Sequence, residues 1–252
     1  DVIVRDVYGS GSRVSLFQAI QSSINYARSQ NQKVVFQGGV QGESWLNDGG
    51  TQAQLEQLIR NNSDVALFAV AAGNGYRDID DTSIKQQDLD FNPNATKAVY
   101  SGGVARLQTN HSNVMAVGAL RLISQTTVSG LKNAVSVDKA SYSNFGASLT
   151  LMAPTNSPAM TKLGDMRSFG GTSAANPNMA GIASLVWSAN AALSAGDLRQ
   201  ILIDTSMDLG ATGRDNTFGH GLVNAEAAVR RAWALKKDKE VAQLYSGNSI
   251  AV

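Results

Sequence analysis

Residues 65–70, Val65-Ala66-Leu67-Phe68-Ala69-Val70, are six apolar residues in a row closed by the glycines that follow. A run this short and this apolar reads as a strand buried on both faces, which constrains the architecture more than any other stretch of the chain. Two more apolar strands precede it, Val2-Ile3-Val4-Arg5 and Lys33-Val34-Val35-Phe36, the second ended by Gly38-Gly39. Between them, Leu16, Phe17, Ile20, Ile24 and Ala27 recur at helical spacing, and Leu55, Leu58 and Ile59 mark another amphipathic helix. Strand, helix, strand, helix, strand predicts right-handed crossovers and an α/β fold with a parallel sheet flanked by helices. Ligands of such sheets bind beyond the carboxyl ends of the strands. Beyond Val70 that position holds Ala71-Ala72-Gly73-Asn74-Gly75, where Asn74 reads either as a turn asparagine or as an amide projected into a site.

A chain of 252 residues is long enough for one large domain with a substantial core. Lys and Arg total 21 against 20 acidic residues, so no global field draws nucleic acid or an acidic membrane surface. The absence of cysteine excludes disulfides, thiolate nucleophiles and thiolate metal sites without deciding the compartment. No apolar run reaches the roughly 18 residues of a membrane span, and the sequence contains no signal-peptide pattern.

The chemistry is concentrated in residues 169–181, Phe169-Gly170-Gly171-Thr172-Ser173-Ala174-Ala175-Asn176-Pro177-Asn178-Met179-Ala180-Gly181, with an apolar helix pattern directly behind. Glycines free the backbone, Thr172 or Ser173 is suited to cap orphan amides, and Pro177 is expected at the edge of the first turn. A helix start also favours developing negative charge, so a hydroxyl there is either an ordinary cap or a nucleophile. The pattern Gly-Thr-Ser-x-Ala-x-Pro-x-x-Ala-Gly, carried by Gly171, Thr172, Ser173, Ala175, Pro177, Ala180 and Gly181, resembles the nucleophile segment of subtilisin-like serine peptidases. Ala71-Ala72-Gly73-Asn74 after a buried strand, the strand Val114 to Ala119, Ser141 to Gly146, Met152-Ala153-Pro154 and the closing turn Gly219 to Asn224 resemble the same family in the same order. Asn178 stands where many members carry a histidine outside the triad.

The resemblance implies a serine endopeptidase in which Ser173 is the nucleophile and Asn74 donates to the oxyanion. It further implies that Gly38, Gly39 and Val40 border an extended polypeptide substrate and that Ala72 and Gly73 line the primary specificity pocket. The order in the family is aspartate, histidine, oxyanion asparagine, serine, and this sequence matches it only from the strand after the histidine. The catalytic Asp and His are therefore expected on an upstream segment or partner chain, pairing with the edge at residues 2–5. His111 and His220 read as surface turn residues.

The family also implies secretion or the cell surface, and allows calcium. The acidic span Asp78, Asp80, Asp81, Asp88 and Asp90 lacks EF-hand spacing and reads as a solvated loop, and no metal ligand is assigned. Residues 1–235 are expected to form the carboxyl-terminal portion of the peptidase domain, with a last helix from Ala225 to Leu235 and a tail or linker over 236–252. Two rival readings are a sedolisin-like peptidase, which Asn74 in place of aspartate disfavours, and a non-catalytic pseudoprotease or scaffold of the same fold.

Overall fold

A computed structural model describes residues 14–38, 51–81, 107–128 and 131–246. The expected strand at 2–5 lies outside the described residues, as do Gly39, Val40, Asp88 and Asp90. The elements are α1 (Leu16–Ser29), β1 (Val34–Gly38), α2 (Gln52–Asn61), β2 (Ala66–Ala71), β3 (Val114–Val128), β4 (Leu131–Lys139), β5 (Leu151–Pro154), β6 (Ser157–Met160), β7 (Met166–Phe169), α3 (Thr172–Ala189), α4 (Ala195–Asp204) and α5 (Ala225–Ser246). The α/β expectation holds.

Strands β1, β2, β3 and β5 run parallel, in register from Val34↔Ala66, Phe68↔Val114 and Val117↔Leu151. Side chains alternate along them. Ala66, Phe68 and Val70 face a core cluster shared with Leu16, Ile20 and Ile24 of α1 and Leu55 and Ile59 of α2. Leu67 and Ala69 face a second cluster with Ala175, Met179 and Ala183 of α3, Leu198 of α4 and Ala232 of α5. This double burial is why the 65–70 run lacks polar residues, and Phe68 stacks on Phe36 with ring centroids 4.7 Å apart.

Two features depart from the sequence expectation. The strand expected at 114–119 continues to Val128 and folds back as β4, antiparallel from Leu120↔Lys139 to Val128↔Leu131. The last helix passes Leu235 without a break and runs to Ser246, so the polar sequence after 235 begins as helix. Among the described residues no helix is long and apolar enough to cross a membrane.

Candidate active site

The parallel strands deliver two loops to their carboxyl edge. After β2 the chain turns through Ala72, Gly73 and Asn74, with Gly73 at φ 107°, a value suited to glycine. This turn is clamped by Asn144, whose buried amide accepts from the Gly75 N–H at 3.0 Å and the Arg77 N–H at 2.9 Å and donates to the Ala72 carbonyl at 2.9 Å. The Asn144 N–H adds a bond to the Gly73 carbonyl at 2.9 Å. A loop of irregular backbone is thereby given as many partners as a strand would have.

The second loop leads from β7 into α3. Asn74 reaches across to it: its Oδ1 accepts from the Thr172 N–H at 2.8 Å and from the Thr172 Oγ1 hydroxyl at 3.0 Å, 98 residues away in sequence. The Gly73 N–H donates back to Thr172 Oγ1 at 3.2 Å. Asn74 Oδ1 is thus fixed by two donors at the start of α3, and Ser173 is the next residue. Ala72 and Gly73 lie buried beside it, and Gly38 ends β1 opposite Val70. Asn74, Ala72, Gly73, Thr172 and Ser173 are therefore brought together, with Gly38 one strand over.

Two local expectations are corrected. The cap of α3 is Gly171, at φ 85° and ψ 171°, and no side chain caps the helix, so neither Thr172 nor Ser173 serves that role. Thr172 is instead fully buried, its hydroxyl committed to Asn74. Pro177 lies inside the helix as its sixth residue, where its missing amide leaves the Ser173 carbonyl without the usual helical donor. Asn178 ties the same turn to the end of the sheet, donating to the Pro154 carbonyl at 2.9 Å and Ser157 Oγ at 2.7 Å.

Both histidines sit at the other end of the strands. His111 precedes β3, and its carbonyl accepts from the Val114 N–H; the His220 N–H donates to the carbonyl of Thr150, the residue before β5. His111 is buried rather than at the surface, a departure from the sequence reading, and among the described residues its Nε2 has no hydrogen-bond partner. Burial pushes the His111 imidazole below its ordinary pKa, with Glu56 opposing and Arg60 adding to the shift. Burial likewise lowers His220, helped by Arg214 and Arg199 and opposed by Asp204.

Sequence reasoning passed over Lys139, the last residue of β4. Its ammonium donates to the Ser143 carbonyl at 3.0 Å and lies 4.5 Å from the Tyr76 ring centroid, and burial lowers its pKa. Its only sequence signal was a basic residue just before the Ser141–Gly146 motif. Among the described residues no group of three or more His, Asp or Glu comes together to hold a metal. Asp78 Oδ1 accepts from the Asp80 N–H, and the Asp80 carboxylate takes the N–H and hydroxyl of Ser148, so these two acids staple loops.

A mostly parallel sheet with a serine at the start of its central buried helix, and an asparagine from the neighbouring strand end bonded to that start, defines a subtilisin-like α/β protein. The sequence model of the subtilase family (Peptidase_S8) matches residues 3–221, and the chain belongs to that family. Subtilisin Savinase of Lederbergia lenta is 43% identical over 94 residues, 37% of this chain and 34% of the relative. Subtilisin DY of Bacillus licheniformis is 37% identical over 121 residues, 48% of this chain and 38% of the relative. The halolysin-like extracellular serine protease Nep of Natrialba magadii is 42% identical over 91 residues, 36% of this chain and 16% of the relative. Among solved structures, one on the assembly of subtilase cytotoxin SubAB superposes with TM-score 0.62 at 18% identity, covering 92% of this chain and 68% of that one. The S41 psychrophilic protease gives 0.57 at 22% identity, with 85% and 65% covered. The chain thus matches about a third of the length of the curated subtilisins and about two thirds of the solved neighbours.

Proposed function

We propose that this chain carries the nucleophile and the side-chain oxyanion donor of a serine endopeptidase that hydrolyses peptide bonds through an acyl-enzyme. The observation that carries this reading is the pair of hydrogen bonds from the Thr172 N–H and hydroxyl to Asn74 Oδ1, which joins the two family motifs at one point. In this reading Ser173 Oγ attacks the scissile carbonyl, and the Asn74 Nδ2 and Ser173 N–H groups donate to the oxygen that becomes negative. Donors held in place before reaction act on charge that develops only in the transition state. The proton of Ser173 goes to a histidine and returns to the leaving amine, after which water releases the acyl group. That histidine and its orienting aspartate come from an upstream segment or a partner chain, because both histidines here lie at the amino edge of the sheet. That segment pairs with the edge expected at residues 2–5.

The substrate is an extended polypeptide running past Gly38, Gly39 and Val40, with its primary side chain beside Ala72 and Gly73. Secretion is proposed by likeness to the halolysin-like extracellular serine protease Nep. Residues 1–235 form the carboxyl-terminal portion of the peptidase domain and 236–252 a tail or linker beyond it. The position of the histidines also favours a second reading, a non-catalytic scaffold, if no base is supplied. Fluorophosphonate labelling of the full-length protein, with the labelled peptide sequenced, decides: a label on Ser173 supports the peptidase, and none supports the scaffold.

A further inference from the structure

Gly171 stands immediately before the Thr172–Ser173 pair in a conformation, φ 85° with ψ 171°, that only glycine adopts with ease. A glycine is equally free to leave it, so a single geometry here needs to be held by the surroundings. Here both its polar groups are held by side chains. The Gly171 N–H donates to the Tyr142 hydroxyl oxygen at 3.0 Å, and the Thr155 hydroxyl donates to the Gly171 carbonyl at 2.9 Å. Tyr142 and Thr155 lie 3.2 Å apart, oxygen to oxygen. Each hydroxyl has one proton. With Thr155's proton on Gly171, the bond between the two hydroxyls runs from Tyr142 to Thr155, and the three groups close a ring through a single residue of the main chain.

The Tyr142 segment has a second hold. Its carbonyl accepts from the Tyr76 N–H at 2.8 Å, and two residues on, Asn144 clamps Ala72, Gly75 and Arg77 as described above. One short stretch therefore grips the Asn74 turn through Asn144 and the peptide ahead of Ser173 through Tyr142. We infer that Tyr142 and Thr155 are positioning residues, holding Gly171 in its positive-φ conformation so that Ser173 is set against the Asn74 amide. This rests on Ser173 being the nucleophile.

Because the ring serves geometry and not substrate contact, its loss lowers kcat and leaves KM unchanged. Tyr142→Phe removes one hydroxyl, and Thr155→Val removes the other at nearly constant volume. Each is expected to reduce kcat, and the rate of fluorophosphonate labelling at Ser173, about tenfold, the equivalent of one net hydrogen bond. The double variant is expected to be no worse than either single one, since both break the same ring. Thr155→Ser restores the rate. The assay uses the full-length protein, with thermal melting to confirm folding; should Tyr142→Phe fail to fold, the Thr155→Val and Thr155→Ser pair decides alone. Wild-type labelling at Ser173 with both single variants within twofold in kcat overturns the inference and leaves the nucleophile assignment standing. Strictly multiplicative losses in the double variant overturn the ring. Absence of wild-type labelling at Ser173 overturns the nucleophile assignment, and the inference with it.

Discussion

The two edges of the parallel sheet are built from similar residues to different ends. At the carboxyl edge Asn74, Asn144, Thr155 and Thr172 all bond to main chain of irregular loops, and Gly73 and Gly171 adopt positive φ there. At the amino edge Asn113 donates to the Ile59 and Ala66 carbonyls, and Arg199 donates to the Val114 carbonyl and to Gln108. The groups with depressed pKa at that edge, His111, His220 and Arg199, are shifted chiefly by burial. Perturbed titration is often a mark of a functional site. Here it does not tell the edges apart, because burial lowers Lys139 beside the Asn74 turn as well; the edge with the proposed nucleophile is marked instead by side-chain hydrogen bonds to its loops. The lesson is to weigh what a buried polar group holds above how far its pKa has moved.

The contrast is tested most severely by Ser173→Ala in the full-length protein. Loss of kcat by about 10⁶, the magnitude measured for the same change in subtilisin, is expected together with loss of labelling. The fold is expected to survive, because no side chain caps α3 and the hydroxyl carries no capping role. Residual labelling at another serine would remove Ser173 from the site. Asn74→Ala comes next, with kcat reduced about 10²–10³, again the range known for the oxyanion asparagine of subtilisin, and KM little changed. An unchanged kcat in steady-state hydrolysis would make Asn74 a loop staple of the same kind as Asn113.

The strand at 65–70, the flanking helices and the pairing of Asn74 with the Ser173 segment were all legible in the sequence. Apolar runs and helical stripes report burial directly, and the two motifs are long enough to stand above chance. The β3–β4 arm was not legible, because beyond Leu120 the strands are mixed polar and apolar, Leu122 and Ile123 being exposed, and a two-stranded arm does not need a buried face. Nor was the role of Thr172, Tyr142 and Thr155. A hydroxyl in a Gly-Thr-Ser run looks like a cap, and only the fold reveals that its partner is 98 residues away. The burial of His111 was missed because neighbouring Thr109, Asn110, Ser112 and Asn113 suggest solvent, whereas Asn113 is itself buried by bonds to two carbonyls.

Gly171→Ala sharpens the comparison from the backbone side. An added Cβ would meet nothing closer than 3.4 Å, the two polar atoms of the Asn74 amide, so the cost is conformational and not steric. Destabilisation of about 1–3 kcal/mol is expected from holding a non-glycine residue at φ 85°. Chemical denaturation measures it, and a change under about 0.5 kcal/mol would show that Gly171 relaxes without penalty and that its neighbours do not over-determine it.

The smallest effect is expected at the amino edge. The folded-state pKa of His111 lies below its ordinary 6.5 because the buried ring resists charging, while the unfolded ring titrates normally. The unfolded state therefore binds more protons on acidification, and the stability present above about pH 6.5 is lost as pH falls through the folded value. His220 contributes with the same sign. His111→Leu removes the titrating ring and the Nε2 that has no partner among the described residues, so melting at pH 8 should change little and the decline between about pH 7 and 5 should flatten. An unchanged slope would place the acid sensitivity on His220 or the carboxylates. In the same variant kcat should stay within twofold of wild type at neutral pH, since the ring sits at the opposite end of the strands from Ser173. A large loss of kcat with the fold intact would make His111 part of the chemistry, and the division between a reactive carboxyl edge and a structural amino edge would fail at that residue.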